Sequence, residues 1–114
     1  MLFRSCRRAS WQTWLVTAVG VSITDWIDDE PQPGIVRAVL MDAHGRAWTF
    51  VDKVAVFTAD AVSATSALPQ PGVIRCVVVR QDGELTTIDT SVPDHVTSEE
   101  GTEVFVVPTR IVTR

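Results

Sequence analysis

The sequence predicts an all-β fold: a small single-domain barrel or sandwich of about six strands built around two related hairpins. Three observations predict it. Valine, isoleucine and threonine fill 38 of 114 positions and leucine only five, so residues that are stiff at χ1 and suit a pleated surface outnumber good helix formers. Short apolar runs alternate with Gly, Pro and Asp turn signals at the spacing of an all-β domain. Finally, PQPGIVRAVL at residues 31–40 returns as PQPGVIRCVV at 69–78, and Gly45/Gly83 and Thr49/Thr87 keep the same offset of 38 residues. Two copies are too few for a solenoid, which needs more units to bury a continuous core. One domain with one core, residues 16–114, is therefore expected.

Residues 1–15 read as an N-terminal tail, either disordered or a translation-start artefact. MLFRSCRRAS followed by WQTWLVTAVGVSI resembles the charged and apolar regions of a secretory signal, but no A-x-A-type cleavage site follows and the run is too short to span a membrane. The strand reading is stronger. Val19, Val21 and Ile23 alternate with Gly20, Ser22 and Thr24, the period-2 pattern of a half-buried strand.

An acidic run, Asp25 to Glu30, leads into the first Pro-Gln-Pro-Gly. Pro33-Gly34 and Pro71-Gly72 both suit the central positions of a type II turn that opens a strand. In the first hairpin, Ile35 to Met41 ascends, Asp42-Ala43-His44-Gly45 turns and Arg46 to Val56 descends; in the second, Val73 to Arg80 ascends, Gln81-Asp82-Gly83 turns and Glu84 to Thr90 descends. Asp82-Gly83 is a strong tight-hairpin signal, with positive φ expected at both central residues. Asp52 breaks the apolar row of Trp48, Phe50, Val54 and Val56, which marks a bulge or a strand end. Thr58 to Leu68 reads as a crossing loop with one helical turn near Asp60, and Ser91 to Thr102 as a polar loop. Glu103 to Val107 is the last clear strand. Pro108 stops it, and pairing resumes over residues 110–113 at an edge, where proline is tolerated.

Superposing the copies assigns faces. Val36, Ala38 and Leu40 match Ile74, Cys76 and Val78 as the core stripe. The opposite face, Ile35, Arg37, Val39 and Met41 beside Val73, Arg75, Val77 and Val79, is too apolar to be freely solvated and implies a covered sheet or one that meets something else.

A net charge of −4 and a pI near 5.0 leave no basic footprint, so nucleic acid is not expected as a partner, nor is a membrane. The nine arginines are scattered rather than clustered. Cys6 and Cys76 form neither a disulfide framework nor a metal motif, which fits a cytoplasmic setting. No phosphate loop, nucleophile elbow, HExxH or CxxC is present. No cofactor or metal is expected, because the carboxylates lack an ordered calcium-loop spacing. Of the four tryptophans, Trp48 has core parity, whereas Trp11, Trp14 and Trp26 flank the acidic run, either capping a barrel end or forming a binding surface.

The segment WIDDEPQPGIVRAVLMDAHGRAWTFVDKVAVF resembles an uncharacterised group of small bacterial, actinobacterial-type proteins. The matching features are Asp28-Asp29 before Pro33-Gly34, the Asp42-Ala43-His44-Gly45 turn, and Phe50 with Asp52-Lys53. The resemblance implies a bacterial, cytoplasmic origin and carries no activity.

The pocket or interface candidates are Asp29, Asp42, His44, Asp52, Arg37 and Arg75. Asp52 is expected to be anchored by Arg37, by Arg75 or by backbone amides. The leading functional expectation is a non-enzymatic module that binds a protein partner or a second copy of itself through an apolar strand face or the edge of the last strand. The alternatives are a small enzyme or ligand-binding barrel that gathers Asp29, Asp42, His44 and Asp52 in an acidic pocket, and an immunity or antitoxin-type inhibitor.

Overall fold

The alternation at residues 19–24 forms the central strand of the larger of two sheets. The computed structural model describes residues 17–114, so the expectations for residues 1–15 lie outside the described residues. Strand β1 (Ala18–Asp28) buries Val19, Val21 and Ile23. Two register shifts, between Ile23 and Asp25 and between Trp26 and Asp28, change its parity. Bulges of this kind turn a strand and re-aim its side chains. Trp26, rather than Asp25 or Ile27, therefore packs against the core.

The chain continues through β2 (Ile35–Met41), β3 (Ala47–Lys53), a single helical turn α1 (Val54–Phe57), β4 (Gln70–Arg75), β5 (Val77–Asp82), β6 (Leu85–Asp89), β7 (Val104–Pro108), a 3-10 turn (Thr109–Ile111) and β8 (Val112–Thr113). The larger sheet has the order β3-β2-β1-β4, with β8 also against β1; the smaller is β5-β6-β7. All pairings are antiparallel. The all-β class is as the sequence predicts, and the two sheets pack face to face without closing into a barrel. Phe105 of the smaller sheet meets Trp48 and Phe50 of the larger edge-on, with ring centroids 5.1 and 5.6 Å apart, the geometry that aromatic quadrupoles favour.

The described residues form eight strands, not about six. One extra strand is β8, the resumed edge pairing expected after Pro108. The other arises because the two sequence copies fold differently. The first copy is a plain hairpin, β2-β3, within one sheet. The second copy changes partners at Cys76: β4 pairs with β1, and β5 pairs with β6 in the other sheet. The expected turn at Pro71-Gly72 is not formed; both residues lie inside β4. The glycine there serves close packing, since a Cβ on Gly72 would stand 3.0 Å from both Ile23 Cδ1 and the Phe57 carbonyl oxygen. Its counterpart Gly34 has φ 135° and lies under the Trp26 ring, where a Cβ would come within 2.2 Å of Cη2.

Two boundaries also move. The strand expected to run to Val56 ends at Lys53, and the helical turn placed near Asp60 is Val54–Phe57. Val54 donates its amide to the Gly34 carbonyl at 3.0 Å, and the turn buries Val54 and Phe57 three residues apart, the spacing at which helical side chains share a face. The β5-β6 hairpin is present, but Asp82 pairs with Leu85, so its central residues are Gly83 and Glu84. Only Gly83 has positive φ, at 63°, the pattern of a turn that takes glycine first. The core faces follow the predicted parity: Val36, Ala38, Leu40, Ile74 and Cys76 are buried, and Val78 is half-buried.

Candidate functional site

Asp42 is the most connected of the candidate side chains. It opens the β2-β3 turn, where Oδ1 accepts the amides of His44 at 2.8 Å and Arg46 at 2.9 Å, and Oδ2 accepts Trp48 Nε1 at 2.9 Å. Partial desolvation pushes its carboxyl up. The hydrogen bonds from Trp48 and the two amides, with the charge of His44, outweigh that and hold it below the ordinary value. The Arg46 guanidinium lies 3.7 Å above the Trp48 ring, within cation–π range, and also pairs with Glu100. His44 is exposed at the tip of this turn.

Asp52 and Asp29 lie at the other end of the hairpin. Asp52 opposes Val36, and Met41 opposes Ala47; Asp52 lies five strand steps beyond Ala47, about 17 Å at about 3.3 Å per residue. Asp29 follows Asp28, which pairs with Ile35 at that same end, and it accepts Trp26 Nε1 at 2.9 Å. Asp52 accepts the amide of Lys53 at 2.8 Å. Its anchor is thus a backbone amide, not Arg37 or Arg75, because both arginines are engaged elsewhere. The four residues of the acidic-pocket expectation are therefore divided between two ends of the sheet and do not converge.

The two repeated arginines share a different feature. Arg37 pairs with Asp25 at 3.6 Å and Glu99 at 3.3 Å, and Arg75 pairs with Asp94 through two hydrogen bonds, Nε to Oδ2 at 2.6 Å and Nη2 to Oδ1. Both Asp94 and Glu99 belong to the polar loop between β6 and β7. Hydrogen bonds from the Thr49 side chain and from Arg37, with the Arg37 charge, hold the Glu99 carboxyl below its ordinary value against a smaller opposing desolvation. The same loop is pinned from inside by Val96, which is buried, and by the buried Thr90 hydroxyl, which donates to the Val96 carbonyl at 2.7 Å.

The concave surface is divided among several grooves. A groove of about 520 Å³ is lined by Gly83, Glu84, Leu85, Thr109 and Arg110 together with Ala43 and Pro108, and none of the six candidates lines it. Asp42 lines a smaller groove of about 300 Å³ beside Met41 and Ile111, and Arg75 with Asp94 lines one of about 380 Å³ near Phe57. Among the described residues no three His, Cys, Asp or Glu side chains gather as a metal site, and no helix is long and apolar enough to cross a membrane.

Exposed apolar side chains occur on both sheets: Ile27, Met41, Val51 and Val73 on the larger, and Val77, Val79, Leu85 and Val104 on the smaller. Register places Val77, Asp89 and Val104 in one row, Arg80, Thr87 and Val106 in the next, and Asp82, Leu85 and Pro108 in the third. Sequence reasoning picked out Val77 and Val79 but missed Leu85, Val104 and the loop acids. The signal for Val104 was present, since Val104 and Val106 alternate with Phe105 and Val107, a strand apolar on both sides.

Fold and surface together define a two-sheet all-β domain whose polar candidates are tied into turns and loop clamps. Comparison with protein-family models, with curated proteins and with solved structures found no match.

Proposed function

We propose that this protein is a non-catalytic docking module of the cytoplasm, and that it binds a protein partner or a second copy of itself through the outer face of β5-β6-β7. One observation carries the reading: Val77, Leu85, Val104 and Val79 stand 39, 45, 53 and 60% exposed on a three-stranded sheet. Exposed apolar side chains interspersed with charged ones favour a protein contact. Asp89 stands between Val77 and Val104, Asp82 stands beside Leu85, and Arg80 adds the opposite charge. Cys76, a buried free thiol, supports the cytoplasmic placement, because reducing compartments keep thiols unpaired.

The test compares the native protein with a Val77→Lys, Val104→Lys variant. Both positions are exposed, so the variant is expected to fold. Light scattering across a wide concentration range should show mass growth for the native chain alone; otherwise, affinity capture from the native cell should recover a partner that the variant loses. A native chain that is monomeric at every concentration, with the same captured set on both baits, rejects the reading.

A further inference from the structure

β4 is the last strand of the larger sheet, and its register shows which way its backbone groups point. β1 pairs along it from Ile23 with Gln70 to Ala18 with Arg75 without a slip, and the Cys76 amide donates to the Thr17 carbonyl at 2.9 Å in the same register. Cys76 thus bonds toward β1. Backbone polar groups of successive strand residues point to alternate sides, so Ile74 and Gly72 bond toward β1 as well, whereas Arg75, Val73 and Pro71 face the free side. Pro71 agrees with this assignment, because proline is tolerated within a strand where an N–H would point off the sheet. Among the described residues no strand pairs with that side of β4, and no backbone bond outside the ladders reaches Val73 or Arg75. Concave surface runs along the same edge. A groove of about 360 Å³ at Pro71 and Gly72 shares Phe57, Thr58, Ala59 and Val73 with the groove of about 380 Å³ at Arg75, so the chain from Phe57 onward forms a wall beside β4, and Val73, 41% exposed, lies where the two grooves meet.

The ends of this double groove carry opposite charges. Lys53, the only lysine of the chain, lines the Arg75 end, and Asp60 lines the Pro71 end. Both are exposed, and neither has an ion-pair partner among the described residues, whereas Arg75 is already matched by Asp94. We propose that the groove takes an extended peptide segment of a partner protein as a further strand antiparallel to β4, with an acidic residue, an apolar centre and a basic residue in that order from its N-terminus. In such strand addition main-chain bonds supply affinity and the flanking side chains supply specificity. Val73 and Arg75 each exchange two bonds with the peptide; Pro71 offers only its carbonyl, so pairing fades there. Antiparallel pairing is the more stable per residue, and it sets the acid at Lys53, the apolar centre at Val73 and the base at Asp60. A second copy fits less well. Pairing β4 with its own copy about a two-fold at Val73 would bring the two Phe57–Ala59 walls against each other and leave the Arg75 carbonyl opposite a proline without a donor, whereas a peptide carries no wall. The site is separate from the outer face of β5-β6-β7 and does not rest on it.

The probe is a displayed library of random heptapeptides panned on the full chain, with Val73→Pro as the counter-bait. That substitution removes the central donor at a position whose N–H makes no bond to β1, so the variant is expected to fold. Enriched sequences should carry the acid, apolar, base order and should bind the Val77→Lys, Val104→Lys variant as tightly as the native chain. A selected peptide, made synthetically, should slow hydrogen exchange at the Val73 amide, which exchanges freely without it. Methylating its backbone nitrogens one at a time should weaken binding by about tenfold or more at alternate positions only, the signature of a strand. The exchange and methylation measurements decide even if Val73→Pro fails to fold. No enrichment over the counter-bait, the reverse charge order, or binding indifferent to methylation overturns the proposal. Protection of the Val73 amide in the free chain also overturns it: independent of concentration, it gives the edge to the chain itself, and rising with concentration, to a second copy.

Discussion

Arg75 and Asp94 form a two-pronged ion pair between β4 and the loop before β7, with Arg75 Nε 2.6 Å from Asp94 Oδ2. The repeat partner of Arg75, Arg37, reaches Glu99 in the same loop. The only charged residue common to both sequence copies therefore has one task in both: it holds the segment from Ser91 to Thr102 against the larger sheet. Side-chain exposures of 45% for Arg75 and 22% for Asp94 keep the pair in the range of surface bridges.

Asp94→Ala should therefore lower global stability by no more than about 1 kcal/mol, while freeing the loop locally. Hydrogen exchange is the discriminating measurement. The amides of His95 and Val96, bonded to Ser91 and Thr90 carbonyls, should lose protection in Asp94→Ala and in Arg75→Ala, with β1 and β2 unaffected. Equal protection in the variants and the native chain would show that Val96 and Thr90 hold the loop without the arginine.

Gly34 and Gly45 both have positive φ, 135° and 83°, but only Gly34 lies under another side chain. Gly45→Ala meets nothing within 4 Å and should cost the backbone term alone, about 1–2 kcal/mol. Gly34→Ala adds the clash with Trp26 and should cost more, upwards of about 2 kcal/mol. Denaturant midpoints of the two variants decide it. Adding Trp26→Ala to Gly34→Ala should show a favourable coupling, and equal losses at 34 and 45 would remove the close-packing account.

What could be read from the sequence follows from which forces are local. The period-2 stripes of Val19-Val21-Ile23 and Val36-Ala38-Leu40 gave the buried faces, because strand parity depends on nothing distant. Gly45 and Gly83 marked turns for the same reason. The switch at Cys76 was not legible: VIRCVVVR is an uninterrupted apolar strand, and the change of partner depends on where β1 and β6 lie. Pro71-Gly72 misled because identical residues serve a turn-like approach in one copy and a strand packed against Ile23 in the other. The acidic pocket failed on length, since Asp42 and Asp52 lie at opposite ends of the β2-β3 hairpin. The arginine clamps were invisible because Arg37 and Glu99 are 62 residues apart.

Asp42→Ala should loosen the β2-β3 hairpin, because three donors lose one acceptor together: the amides of His44 and Arg46 and the Trp48 indole. Loss of charged hydrogen bonds at a partly exposed site is expected to cost about 1–2 kcal/mol. Trp48 fluorescence should shift to the red as the indole N–H turns to solvent. An unshifted spectrum with an unchanged thermal midpoint would show that the turn is held by its backbone bonds and Gly45 alone.

Cys76 is 2% exposed, and burial pushes its thiol up to about 11. The thiolate is the reactive form, so at neutral pH both access and ionisation protect it. In a Cys6→Ser background, a disulfide reagent should react with the folded protein only as fast as the core opens and should react at once in denaturant. Stoichiometric fast labelling of the folded chain would place Cys76 at the surface and contradict the partner switch between β4 and β5.

Acid should destabilise the fold through carboxyls that it holds ionised. Asp42, Asp89 and Glu99 all lie below their ordinary values of 3.8, 3.8 and 4.5. Asp89 is lowered first by the Ser91 hydroxyl and then by the Ser91 amide, against a small desolvation. A carboxyl with a depressed folded pKa binds protons more readily in the unfolded chain, so its stabilisation is fully present above the unfolded value and is lost as pH falls through the folded one. The thermal midpoint should accordingly be level in this respect above about pH 5 and fall progressively below about pH 4. Asp42→Asn removes one of the depressed carboxyls, Ser91→Ala and Arg37→Ala each remove a named cause of another's depression, and each should flatten the acid limb while leaving its onset in the same window. A midpoint that rises on acidification below pH 4 would reverse the sign required by these three hydrogen-bonded carboxylates.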